Sequence, residues 1–469
     1  MLGAMSALVI VLAGQAMVTM DGSILVVAAP SLRVDLHPSG AELQLVIAMY
    51  TMALAALVVT GARLGDILGY RRAFVYGLAG FTLASLAGGL APTAPVLIGA
   101  RTLQGAAAAL MTPQVLSIIQ AQFDGQQRAR AIGAYSMILA VGVAAGQILG
   151  GILVSAHLLA AAWRPALLLN GPVGAALLAG SRRALPAMAR GGGERLDLGG
   201  VALLTAAMLA LIVPLTFGRD YGWPVWVWPC LFGCATAGRA FVALERRLKA
   251  RDGRPLFDLG VLKRPGVAPG VLAVLLIMAC YSGFLLSLTL YLQSGLRFSP
   301  LHAGLMFAIY ATGFATASLT WVRAGRTTRE RLPILGPLVM GAALLTLGLT
   351  AGDRGWPLAL VVPLLFAGGV GHAWGFSPLA NRLTTLVEPA QRADLSGLIL
   401  TADWIGIALG VATFAGIYLS AASNGSMHAL AITAYALAGA LIATAACALA
   451  ALTRRAARSS ALIIQAVGG

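Results

Sequence analysis

Fourteen long apolar runs, separated by gaps that alternate between basic and nearly uncharged, leave this chain few ways to fold. The runs lie near 5–31, 41–62, 73–91, 95–121, 131–154, 165–181, 197–217, 225–244, 267–293, 301–322, 332–350, 357–380, 396–420 and 427–452. Each is apolar over roughly 17–27 residues, enough for a helix to cross a hydrocarbon layer about 30 Å thick. Of the 32 Lys and Arg residues, about 26 fall in or at the edge of every second gap (Arg239 just inside the run 225–244), five in the alternate gaps, and one, Arg101, deep inside a run. The positive-inside rule places the basic gaps in the cytoplasm, and both termini with them.

The composition excludes a soluble globular protein. Mean hydropathy is +0.87, 59% of residues are hydrophobic and 10% are charged. In a soluble chain a net charge of +16 would point to nucleic acid. Here it orients the chain against anionic lipid, and no nucleic-acid partner is expected. The four cysteines, Cys230, Cys234, Cys280 and Cys447, all lie in apolar runs without nearby His or carboxylate, so they read as packing residues rather than metal ligands. Arg far outnumbers Lys, and Ala and Gly abound, which points to a high-GC bacterium and so to a bacterial cytoplasmic membrane. The first run is too long for a signal-peptide core and reads as a retained helix. Its lack of a charged leader leaves room for a native start upstream of Met1.

Loops are short apart from two on the cytoplasmic side, near 182–196 and 245–266. The first holds the flexible linker Arg190–Arg195; the second holds a basic run and then Arg254-Pro-Leu-Phe257-Asp258. Two runs lie between these loops, and removing that insert leaves six runs, then six runs. The expected organisation is a six-helix bundle over 1–181, linkers with two extra helices over 182–266, a second bundle over 267–453 and a cytoplasmic tail over 454–469. A weak repeat relates the two bundles. Thr60-Gly-Ala-Arg63-Leu-Gly65 follows the second run, and Thr320-Trp-Val-Arg323-Ala-Gly325 follows the tenth, with Thr, Arg and Gly at equal offsets. Such repeats mark secondary transporters, whose site lies between two bundles near the midplane.

Several motifs, taken in order along nearly the whole chain, carry a family resemblance. Met20-Asp21-Gly-Ser23-Ile24 leads to Val27-Ala28-Ala-Pro30 in the first run. Arg63-Leu-Gly65-Asp66-Ile-Leu-Gly69-Tyr-Arg71-Arg72 fills the first cytoplasmic gap, with Ala62, Ile67 and Tyr70 departing from the usual pattern. Arg101-Thr-Leu-Gln104-Gly105 lies in the fourth run. Gly142-Val-Ala-Ala-Gly146-Gln147-Ile-Leu-Gly150-Gly151 lies in the fifth, with Gln147 where proline is usual. Trp163-Arg164 leads to Asn170-Gly-Pro172, and Leu256-Phe257-Asp258 to Arg264-Pro265. Together they resemble the fourteen-helix drug:proton antiporter branch of the major facilitator superfamily. The resemblance implies an all-α fold of two six-helix bundles with two inserted helices, and a small-molecule substrate exchanged for protons.

Candidate site residues follow from polarity at membrane depth. A carboxylate within a span costs about 3 kcal/mol or more, so Asp21 is the leading candidate for proton coupling. It lies about nine residues, or roughly 14 Å, before Pro30, read as a helix breaker; Arg101 lies roughly 9 Å into its own run from the outer end. The resemblance implies that these two spans line one cavity. A cation beside Asp21 would favour its ionised form, and burial alone the protonated form. Arg101 keeps its charge, so its role would be to tune Asp21 and connect to Gln104. A permanent ion pair locking the two spans is the alternative.

In the second half, His372 and Asp403 lie at similar depths, with Trp374, Asn381 and Trp404 nearby in sequence. They are read as a polar, aromatic patch, either a protonatable His–Asp pair or a cation site. Tyr50, Tyr281, Ser287, Tyr291 and Gln293 are further cavity candidates. Asp66, Gly69 and Arg71 are assigned to conformational gating, as are Gly142, Gly146, Gly150 and Gly151, which let helix backbones approach closely. No phosphate-cradling loop, metal cluster, cofactor motif or catalytic constellation is evident. The expected function is proton-driven export of hydrophobic or amphipathic, often cationic, drug-like compounds by a monomer. Alternatives are a dedicated exporter of one self-made compound, a nutrient importer, or a membrane enzyme or lipid-handling scaffold.

Overall fold

A computed structural model describes residues 2–38, 40–155, 163–185, 198–218, 222–250, 259–352, 356–388 and 391–453, and among them every regular element is a helix. The linker at 190–195, the segment 254–258 and the tail 454–469 lie outside the described residues. In an apolar medium a backbone has no water to bond, so each apolar run closes its own hydrogen bonds as a helix. Many hydroxyls within the helices are satisfied the same way, bonding back to the carbonyl one turn earlier. Examples are Thr19 to Gln15 at 2.6 Å, Thr82 to Leu78 at 2.8 Å and Thr316 to Thr312 at 2.7 Å.

The chain divides into two units, residues 1–256 with 298–308, and 257–297 with 309–469. In chain order the first ten helices are α1 (Leu2–Leu36), α2 (Gly40–Leu68), α3 (Tyr70–Gly89), α4 (Ala94–Gln122), α5 (Gly125–Ser155), α6 (Arg164–Leu168), α7 (Asn170–Ala184), α8 (Leu198–Phe217), α9 (Val227–Ala250) and α10 (Val267–Leu290). Then come α11 (Pro300–Thr320), α12 (Arg326–Leu349), α13 (Leu358–Thr384), α14 (Arg392–Gly410), α15 (Gly416–Ala421) and α16 (Ser426–Thr453). All fourteen expected spans overlap a helix, and among the described residues ten helices are long and apolar enough to cross a membrane. Large apolar side chains such as Val9, Leu83, Leu103, Phe232 and Ile442 point outward, as a lipid-facing surface requires.

Three sequence expectations need correction. Pro30 does not break α1, which runs on to Leu36. Proline's fixed φ suits a helix, and only one backbone bond is lost. The expected loop at 245–266 begins as helix, because α9 continues to Ala250 and carries Arg246, Arg247 and Lys249. The sixth span is not one regular helix but α6 and α7, separated at Leu169. Pro172 lacks the N–H that would bond the Leu168 carbonyl, which accounts for the break.

The internal repeat extends to atomic detail. In the first unit Ser23 of α1 donates to the Val143 carbonyl of α5 at 2.9 Å, and a Cβ on Gly146 would overlap Ser23 and the Met20 carbonyl. In the second unit Ser282 of α10 donates to the Ile407 carbonyl of α14 at 2.9 Å, and a Cβ on Gly410 would overlap Ser282 and the Ala279 carbonyl. Gly105 of α4 abuts the Tyr50 carbonyl of α2 as Gly369 of α13 abuts the Tyr310 carbonyl of α11. Tyr310 follows Tyr50 at the same offset that relates Thr320 to Thr60.

Candidate functional site

α1, α3, α4 and α7 of the first unit converge on a closed ring of polar side chains. Arg101 Nη1 donates to Asp21 Oδ2 and, at 2.6 Å, to Gln104 Oε1. Gln104 Nε2 donates to Ser85 Oγ at 2.6 Å. Asn170 Nδ2 completes the circuit, reaching Asp21 Oδ1 at 2.8 Å and Ser85 Oγ at 3.3 Å. Arg101 Nε also points at the Val46 carbonyl of α2, 3.4 Å away. The five side chains are buried; Arg101 and Asp21 are 1% and 2% exposed. Opposite charges cancel, and both carboxylate oxygens accept a hydrogen bond, as burial of an ion pair demands.

Tyr50 of α2 forms one wall. Its ring lies 4.3 Å under the Arg101 guanidinium, and its hydroxyl donates to the Val18 carbonyl at 2.8 Å. Close approach depends on Gly105, where any Cβ would strike the Tyr50 carbonyl. Tyr50, 3% exposed, is packed into this ring system.

A second cluster closes one end of the first unit. The Trp163 indole donates to Asp35 Oδ2 at 3.0 Å, and Arg164 pairs with the same oxygen at 3.4 Å while bonding the Gly89 carbonyl at 3.1 Å. At the other end, Asp66 meets Arg63 at 3.3 Å and accepts from the Tyr70 hydroxyl at 3.2 Å. Gly69, at φ 86°, is the single residue between α2 and α3, a backbone geometry that favours glycine. Arg71 donates to the Arg182 carbonyl at 3.0 Å, tying the start of α3 to the last turn of α7. Gly142 and Gly146 lie at the crossing with α1; Gly150 and Gly151 are buried further along α5.

In the second unit the expected His–Asp pair does not form. Neither ring nitrogen of His372 has a hydrogen-bond partner among the described residues. His372 instead faces α10 and α11, stacking on Tyr281 at 4.7 Å and packing on Phe314 at 4.6 Å. Depth along a helix follows from residue counts, but the direction a side chain faces does not. Asp403 of α14 is half-buried and close enough to Tyr281 to act on it electrostatically. Trp374 and Trp404 are half-buried and make no ring contact with His372 among the described residues; Thr384 caps the Asn381 carbonyl at 2.7 Å. Tyr291 is fully buried, donates to the Gly352 carbonyl at 2.6 Å and packs on Trp356. Gln293 is half-buried in the π turn Tyr291–Gly295 that ends α10, and Ser287 is buried without a partner for its hydroxyl.

Sequence reasoning named Asp21, Arg101 and Gln104 but missed Ser85 and Asn170 as members of the ring. A short polar side chain in an apolar helix looks ordinary; only the Trp163–Pro172 motif singled out Asn170. No group of three or more His, Cys, Asp or Glu side chains that could hold a metal occurs among the described residues.

Apolar helices in two repeat-related units, with an ion pair sealed inside the first, define an all-helical, multi-pass membrane protein. The family model of the Major Facilitator Superfamily matches residues 11–411, and the chain belongs to that superfamily of transporters. Among its relatives, a probable actinorhodin transporter of Streptomyces coelicolor is 34% identical over 88% of this chain and 72% of its own length. A cephamycin export protein of Amycolatopsis lactamdurans is 35% identical, covering 87% of this chain and 84% of the relative. The multidrug resistance protein Stp of Mycobacterium tuberculosis is 31% identical over 86% of this chain and 74% of the relative. The fold is also that of the human organic anion transporter MFSD10, with a TM-score of 0.67 at 15% identity, covering 95% of this chain and 99% of that one.

Proposed function

We propose that this chain is a proton-coupled antiporter that exports hydrophobic or amphipathic compounds across a bacterial cytoplasmic membrane by alternating access. The observation that carries the reading is the buried ring around Asp21 and Arg101. Asp21 is the member of that ring whose charge a proton can neutralise, because Arg101 keeps its charge and the other members are uncharged. While the ring is closed, Arg101 and Asn170 hold the ionised carboxylate. When the helices part, Asp21 loses its partners and takes a proton from outside; closure expels it to the cytoplasm, and substrate leaves in exchange. One charge moved through 100 mV supplies about 2.3 kcal/mol, enough to drive uphill export of a neutral compound.

In this reading Asp66, Gly69 and Arg71 bias which side is open, and Gly142, Gly146, Gly150 and Gly151 form the seam along which α1 and α5 slide. All fourteen expected spans cross the membrane, both termini are cytoplasmic, and the protein works as a monomer. The names of the relatives support export, and they favour a second reading beside multidrug efflux. The actinorhodin and cephamycin proteins are each named for one compound, whereas Stp is named for many. A dedicated exporter of one metabolite therefore stands as the alternative, and a susceptibility screen against unrelated toxins separates the two. For the coupling itself, everted vesicles under an imposed pH gradient should accumulate a cationic dye such as ethidium. Asp21→Asn should abolish that accumulation while the protein still inserts; accumulation independent of the gradient would exclude antiport.

A further inference from the structure

The second unit holds a group of side chains that neither its packing nor the proton cycle uses. His372 is 3% exposed, yet both ring nitrogens lack a hydrogen-bond partner among the described residues. Its imidazole sits against Tyr281 and Phe314, with Tyr310 6.1 Å away, and the buried Tyr310 hydroxyl likewise has no partner among the described residues. The internal repeat supplies a control. Tyr50 holds the equivalent place in the first unit, and there the hydroxyl is satisfied by the Val18 carbonyl. Buried polar groups left unpaired are costly, and packing alone would be served as well by Phe at 310 and Leu at 372.

Ring faces around unpaired nitrogens and a hydroxyl suit a flat aromatic guest that carries hydroxyl or carbonyl groups at its edge. Faces stack on faces. A neutral imidazole offers one donor and one acceptor, and the phenol offers a further donor. Tyr281 is only partly buried, unlike Tyr310, Phe314 and His372, and presents the face that a guest meets first. The Asp403 carboxyl acts electrostatically on Tyr281 and has no hydrogen bond or ion pair among the described residues, so it adds a further polar group at the edge of the cluster.

We propose that Tyr281, Tyr310, Phe314 and His372 form a binding subsite for a flat aromatic compound with hydroxyl or carbonyl groups at its edge, with His372 and Tyr310 hydrogen-bonding that edge. This rests on the export reading and names the compound class and the side chains that take it. The test is equilibrium binding of quinizarin, a neutral dihydroxyanthraquinone dye, to the purified full chain in nanodiscs, with anthracene as a partner lacking edge groups. Tyr310→Phe keeps the ring, removes only one oxygen and should weaken quinizarin binding about tenfold while changing anthracene binding less than twofold. His372→Ala should weaken quinizarin further, and His372→Asn should restore part of the loss. Equal quinizarin affinity in wild type and both His372→Ala and Tyr310→Phe, or no saturable binding by wild type, would overturn the subsite. Because no gradient is imposed, failure of vesicle transport would count against export and would not alter this result.

Discussion

Tyr50 and Tyr310 hold the same place in two copies of one arrangement, yet the first lies beneath a guanidinium and the second beside an imidazole. The scaffolding around them is shared, down to the serine that bonds across each glycine crossing. The chemistry is not. By the offsets that relate the crossings, the second unit has buried Cys280 where the first has Asp21, and buried Leu365 where it has Arg101. The first unit encloses charge in a ring whose members are all paired. The second leaves polar atoms unpaired among rings, and its α10 and α14 both run into π turns, at Tyr291–Gly295 and Val411–Ala415. Among the described residues α1 and α5 carry none. Such turns occur often at functional sites. Duplicated packing with diverged chemistry fits a division of labour between proton handling and compound recognition.

The sharpest way to break that comparison is to strip one polar group from each unit. Arg101→Met leaves the Asp21 carboxylate buried without its countercharge, and should cost about 3–5 kcal/mol, read as a fall in the unfolding midpoint of detergent-purified protein. His372→Leu removes no hydrogen bond and should stay within about 1 kcal/mol of wild type. Equal losses would erase the distinction between a closed ring and an open one. The shared scaffolding predicts the opposite pattern, with matched effects at the crossings. Gly146→Ala and Gly410→Ala each push a Cβ into a serine and a carbonyl, and each should destabilise by about 1–3 kcal/mol. A large effect at one and none at the other would sink the structural repeat. The smallest contrast lies in the tyrosines. Tyr50→Phe should lose about 1 kcal/mol with its bond to Val18, whereas Tyr310→Phe should be neutral in the absence of substrate. Thermal scans of the two variants side by side would show it.

The sequence made the helices legible because lipid enforces long apolar runs, and it made Asp21 and Arg101 legible because charge at that depth is rare. Gly61 and Gly105 show where legibility stops. Each stands in a sequence motif, but only coordinates reveal that Gly61 meets Ala109 and Gly105 meets Tyr50. Ser85 and Asn170 complete the ring from helices remote in sequence; a motif marks Asn170 without giving its partner, and nothing local distinguishes Ser85 from the many hydroxyls that satisfy themselves within one helix turn. His372 was visible as a buried titratable group but was assigned the wrong neighbour, since counting residues fixes height in the membrane and not facing. Pro30 misled for a related reason. Its cost to a helix is real in isolation, yet packing around Ala28 and Leu32, both buried, holds α1 together through it.

Isotope-edited infrared spectroscopy of the Asp21 carboxyl, recorded on the full chain while pH and substrate are varied, bears most directly on the proposed proton cycle. A protonated-carboxyl band should rise on acidification, fall when an exported compound is added, and be missing from Asp21→Asn. A carboxylate band unchanged across pH and substrate, in protein whose vesicles still exchange protons for dye, would contradict it.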